Sequence, residues 1–82
     1  SNKPLPRYFV QFGSFQDHYR AEALRGKLAQ QGYAVRIPTI TNKTSGRKWF
    51  SVRADFKDLD KAIAARNAFL TQGGPRPVLG KQ

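Results

Sequence analysis

Tyr8-Phe9-Val10-Gln11-Phe12-Gly13-Ser14-Phe15, followed at once by Gln16-Asp17 and a helical run, decides how this chain reads. The first half alternates as a strand does. Tyr8, Val10 and Phe12 fall on one face, Phe9 and Gln11 on the other. Gly13-Ser14-Phe15 breaks the pattern, so the strand is expected to end at Gly13. Asp17 can accept hydrogen bonds from the free amides of a first helical turn, which predicts a helix over residues 17–31. The second strand face pairs a polar side chain with an exposed aromatic, and this makes it a candidate binding surface.

Downstream, Ala21, Leu24 and Leu28 form an apolar helical stripe, and Gly32 suits a left-handed stop. Residues 33–37 alternate as a second strand, and the polar run 39–47, with Asn42, Ser45 and Gly46, reads as a hairpin loop. A third strand is expected over residues 49–54. Its Phe50, Val52 and Ala54 share one face, while Trp49, Ser51 and Arg53 share the other. Asp58 caps a second helix with the stripe Ala62, Ala65 and Phe69, running to about Thr71. Gly73-Gly74-Pro75 makes a turn, and Pro77-Val78-Leu79 a short edge strand. The order βαββαβ contains a weak repeat: Val10-Gln11, a phenylalanine, an aspartate cap and an Ala-rich helix recur as Val52-Arg53, Phe56, Asp58 and residues 62–69. The expected fold is α+β, a ferredoxin-like or RNP-like sandwich. It has a four-stranded antiparallel sheet, strands one and three at its centre and both helices on one face. The helices would cover Tyr8, Val10, Phe50 and Val52. Residues 1–6 read as a linker end, with Ser1-Asn2 as a cloning remnant, residues 7–79 as the domain and residues 80–82 as a tail.

Eighty-two residues make one domain. The absence of cysteine rules out disulfides, thiol catalysis and Cys-based zinc sites. No apolar run reaches transmembrane length. The lone His18 reads as a surface residue. Fifteen Lys and Arg against five Asp and Glu give a net charge of +10, which calls for an anionic partner or a basic solubilising surface.

Residues 10–15, the helix Ala21-Glu22-Ala23-Leu24-Arg25-Gly26-Lys27-Leu28, and Gly32-Tyr33 at this spacing resemble the first half of a SPOR domain. SPOR domains are small bacterial modules that bind peptidoglycan glycan strands. The resemblance runs from Arg7 to Leu79. It implies non-catalytic binding of glycan strands, favouring those stripped of stem peptides by amidases. Such binding would target a parent protein to the division septum or cell wall, in the periplasm or cell envelope. It also implies that the strand-one glutamine, the serine after the glycine and the aromatic opening strand three line the groove. These carry over to Gln11, Ser14 and Trp49. Ser51 stands where some relatives place an arginine, and Arg53 or Arg36 is expected to supply that charge. One departure is Val52-Arg53-Ala54-Asp55-Phe56 where relatives often read Val-Gly-Pro-Phe, so the turn into the second helix should differ in shape.

The open face is therefore expected to present Phe9, Gln11, Trp49, Ser51 and Arg53, with Arg36 beside them and Ser14 at the strand end. The chemistry matches the ligand that the resemblance implies. Removing a stem peptide frees the lactyl carboxylate of N-acetylmuramic acid. Arginines hold carboxylates in a bidentate fork. Trp49 can stack on a pyranose ring, and Gln11 and Ser14 can bond hydroxyl and N-acetyl groups. Each residue also has an ordinary role. Trp49 can pack on the hairpin loop, Phe9 under a loop, and Ser14 can shape the turn or cap the helix. Gln11, Arg36 and Arg53 can be solvated.

Catalysis has little support. A glycosidase needs two carboxylates across a cleft, and all five acids are expected to lie off the sheet face. No cofactor and no metal are expected. Peptidoglycan glycan strands are the expected partner of a monomer that makes no membrane contact itself, with the parent free to be membrane-anchored. The rival reading is single-stranded nucleic-acid binding, since RNA recognition motifs share the βαββαβ order and stack bases on strands one and three. Their strand-three signature is missing here, because Ser51 and Arg53 stand where further stacking rings are wanted. A protein-interaction module is the remaining alternative.

Overall fold

A computed structural model describes residues 8–72 and 76–82. The chain folds as β1 (Tyr8–Phe15), α1 (His18–Gln30), β2 (Val35–Arg36), β3 (Thr39–Thr41), β4 (Lys48–Phe56), α2 (Leu59–Leu70) and β5 (Val78–Lys81). The linker expected over residues 1–6 and the turn at Gly73-Gly74-Pro75 lie outside the described residues. Among the described residues no helix is long and apolar enough to cross a membrane.

The sheet is antiparallel in the order β2-β4-β1-β5, with β3 also pairing to β4. The central β1–β4 pair is the expected one. β2 and β3 follow one register along β4: Arg36 faces Arg53, and Thr39 faces Phe50. They are a single strand interrupted at Pro38, which has no N–H to give the ladder. The Pro38 carbonyl still accepts from the Ser51 amide at 3.0 Å. The βαββαβ expectation therefore holds with its second strand split. The hairpin loop is shorter than expected, residues 42–47, because Thr39–Thr41 pair with β4. Asn42 Oδ1 closes this loop by accepting from the Thr44 and Ser45 amides.

Both helices begin as the sequence expects. Asp17 accepts from the Tyr19 amide and Asp58 from the Asp60 amide, each at 2.9 Å. Gly32, at φ 94°, follows α1 in the left-handed region. Val10, Phe12, Val52 and Ala54 from the sheet meet Ala21 and Leu28 of α1 and Ala62, Ala65 and Phe69 of α2. The alanines keep the helices close to the sheet, so two phenylalanines fill the space between. The Phe12 and Phe69 rings sit 5.1 Å apart, edge to face, and Tyr33 lies 5.6 Å from Phe12.

Strand one departs from strict alternation. Gln11 pairs with Arg53, but the next pair is Gly13 with Val52, leaving Phe12 as an extra residue in a β-bulge. Phe12 and Gly13 therefore both face the helices. A Cβ at Gly13 would stand 2.8 Å from the Phe15 ring and 3.0 Å from Leu24, which is why glycine occupies the site. Beyond the bulge Ser14 pairs with Ser51 and Phe15 with Phe50. The strand does not end at Gly13 as expected but continues to Phe15, with Ser14 on the open face and Phe15 packed on the core. At the other end of the chain β5 runs through Lys81, with Gly80 opposite Phe9. The expected tail at residues 80–82 is thus largely part of the sheet.

Candidate functional site on the open sheet face

On the face away from the helices β1 presents Phe9, Gln11 and Ser14. β4 presents Trp49, Ser51, Arg53 and Asp55, and β2 adds Arg36. The expected residues do come together, and a hydrogen-bond chain fixes several of them. The Ser51 hydroxyl donates to Gln11 Oε1 and accepts from Arg53 Nε at 2.8 Å. The Arg53 guanidinium lies 4.2 Å above the Phe9 ring centre, a cation–π contact. The outer end of that ring lies over Gly80, where a Cβ would come within 2.1 Å of Phe9 Cζ.

Two expectations are corrected. Ser51 is 0% exposed and presents nothing to a ligand. Its side chain is short and central, and the longer Gln11 and Arg53 bond across it. Its hydroxyl orients these two groups. Nor do all five carboxylates lie off the face. β4 continues through Asp55 and Phe56, and alternation carries Asp55 to the same side as Arg53. Extending the series Trp49, Ser51, Arg53 by one more step would have found it.

Asp55 changes the electrostatics of the face. Arg36 donates to it through two nitrogens, at 2.7 and 3.0 Å, and the C-terminal Gln82 amide donates to it as well. The hydrogen bond to Asp55 raises the Arg36 pKa above its ordinary value, against the opposing effect of burial. Arg53 shifts the other way, lowered by burial first and by the neighbouring Arg36 charge second. A guanidinium stays charged under either shift. Arg36 is thus already engaged, whereas no carboxylate among the described residues forms an ion pair with Arg53.

At the hairpin end of the face Trp49 is half-buried opposite Ile40. It forms one wall of a cleft of about 460 Å3, bounded also by Ser14, Phe15, Gln16, Asp17 and Arg20. Sequence reasoning did not place Gln16, Asp17 or Arg20 at the site. The usable signal was that a helix starting two residues after the strand brings its first turn to the strand end.

Fold and face define a small α+β module that turns one sheet face to solvent. The chain belongs to the SPOR domain family, whose profile matches residues 4–79. Two solved structures share the fold. The SPOR domain of RlpA from Pseudomonas aeruginosa is 19% identical with a TM-score of 0.77, over 92% of this chain and 99% of that one. The peptidoglycan-binding domain of the cell wall lytic enzyme CwlC from B. subtilis is 17% identical with a TM-score of 0.69, over 100% of this chain and 96% of that one. No curated protein matches the sequence.

Proposed function

We propose that the domain binds peptidoglycan glycan strands without altering them, favours strands freed of stem peptides, and so directs its parent protein to the cell wall at the division septum. The observation that carries this reading is Arg53, held by Ser51 and Phe9 beside Gln11 and, among the described residues, without an ion-paired carboxylate of its own. A lactyl group in amide linkage to a stem peptide is neutral and bulky. The free lactyl carboxylate is compact and anionic, and a fixed guanidinium discriminates between the two. Membership of the SPOR domain family supports the ligand class, as does the likeness to a domain described as peptidoglycan-binding. Nucleic acid fits less well. Arg53 covers the Phe9 ring, so a base has no access to that ring face, and Asp55 already engages the neighbouring Arg36.

The domain should sediment with amidase-treated sacculi more than with intact ones, and retention should disappear once the glycan is digested. Equal retention on all three preparations would sink the proposal. Arg53→Ala should reduce binding to denuded strands by about 10- to 100-fold, the scale of a charge-assisted hydrogen bond. It should leave the weaker binding to intact sacculi nearly unchanged. A parallel loss on both substrates would show that Arg53 does not read the carboxylate.

A further inference from the structure

The cleft beside Trp49 differs in chemistry from the surface around Arg53. Its charged groups, Arg20 and Asp17, offset one another. Asp17 uses Oδ1 to cap α1, which leaves its second oxygen as an acceptor. Among the described residues no hydrogen bond occupies the side chains of Ser14, Gln16 or Arg20. The cleft therefore offers several donors, at least two acceptors and one aromatic wall, with no net charge. Its volume of about 460 Å3 falls within the usual range of small-molecule sites, roughly 300–1,000 Å3.

An uncharged amino sugar needs this combination. Its hydroxyls donate and accept, its acetamido group does both, and its ring carries an apolar face for an indole. An acidic sugar or a phosphate would face the Asp17 carboxylate. Arg53 lies four residues along β4 from Trp49, about 13 Å at roughly 3.3 Å per residue. One sugar ring does not span that distance, so the two places serve different sugars.

We infer that the cleft formed by Ser14, Gln16, Asp17, Arg20 and Trp49 is a subsite for uncharged N-acetylglucosamine, separate from the carboxylate-reading position at Arg53. The inference rests on the glycan-binding reading and deepens it. An alternating strand would lie in a fixed register, its neutral sugar against Trp49 and its acidic sugar against Arg53. Gln16 and Arg20, which line the cleft and not the Arg53 position, belong to the neutral end alone.

Chitotetraose, an uncharged oligomer of N-acetylglucosamine, separates the two positions. In an NMR titration it should shift the Trp49 indole and the amides of Ser14, Gln16 and Arg20, and leave Phe9 and Arg53 unmoved. Its affinity should hardly change with salt. Arg20→Ala and Gln16→Ala should each weaken it several-fold, and Arg53→Ala should not. The spectra themselves report whether each variant is folded. If the tetraose causes no shifts while denuded glycan still binds, the subsite is wrong and the broader reading stands. If the tetraose shifts Arg53 and Phe9 as strongly as Trp49, the two positions are one and the inference also fails. If neither ligand binds, the glycan reading and the subsite fall together.

Discussion

Phe12→Ala should lower the stability of the domain by about 3–5 kcal/mol, the range for deleting a buried phenylalanine. Phe12 is 1% exposed and is the largest fully buried side chain, in contact with Phe69 from α2 and with Tyr33 after α1. The alanines on the helix faces are too short to fill the gap, and Leu28 and Phe69 are already packed in the core, so the cavity should persist. A domain of this size holds roughly 5–15 kcal/mol in total and loses about 4–8 °C of melting temperature per kcal/mol. Thermal unfolding followed by circular dichroism should therefore show a fall of tens of degrees, or no folded state at all. A loss below about 1 kcal/mol would mean that the bulge does not seat this ring in the core.

Trp49→Ala should weaken binding to denuded glycan strands by about 1–3 kcal/mol, the range measured for stacking rings at ligand sites, or about 5- to 150-fold. The ring is one wall of the cleft at the hairpin end of the open face, so its loss removes the stacking platform of the proposed neutral subsite. Stability should change little. Trp49 is outside the core cluster and is only half-buried, and Ile40 across from it is 41% exposed. Sedimentation with denuded sacculi and a melting curve on the same sample decide the matter. Intact binding would remove Trp49 from the ligand path. A melting temperature lower by more than about 10 °C would make it a packing residue of the hairpin instead.

Much of this arrangement was legible in the chain because local signals agreed with one another. Asp17 and Asp58 marked the helix starts, Gly32 marked a helix end, and the stripes of both helices became the buried layer. The face residues Gln11, Trp49 and Arg53 followed from alternation alone. What alternation could not supply were features that depend on a neighbouring strand. The burial of Ser51 requires Gln11 to reach across from β1. The neutralisation of Arg36 requires β4 to persist to Asp55, where the expected turn would have ended it. The cleft residues on α1 needed the height of the helix start above the sheet, which no periodicity encodes.

The bulge at Phe12 and Gly13 bears on how related chains are compared. It shifts the phase of the first strand, so that everything after it sits on the face opposite to the one that simple counting assigns. Straightening the bulge with both residues kept would turn the Phe15 ring outward and drive the Ser14 hydroxyl toward the helices, whereas deleting one of the two would leave both on their present faces. A relative whose strand is one residue shorter here carries the equivalent hydroxyl on the same face with no bulge at all, one alignment column out of step. Site residues should therefore be transferred between such chains by sheet face and not by alignment column. A graft of this strand onto another scaffold must keep the bulge together with its extra residue, or lose both, if it is to keep the surface.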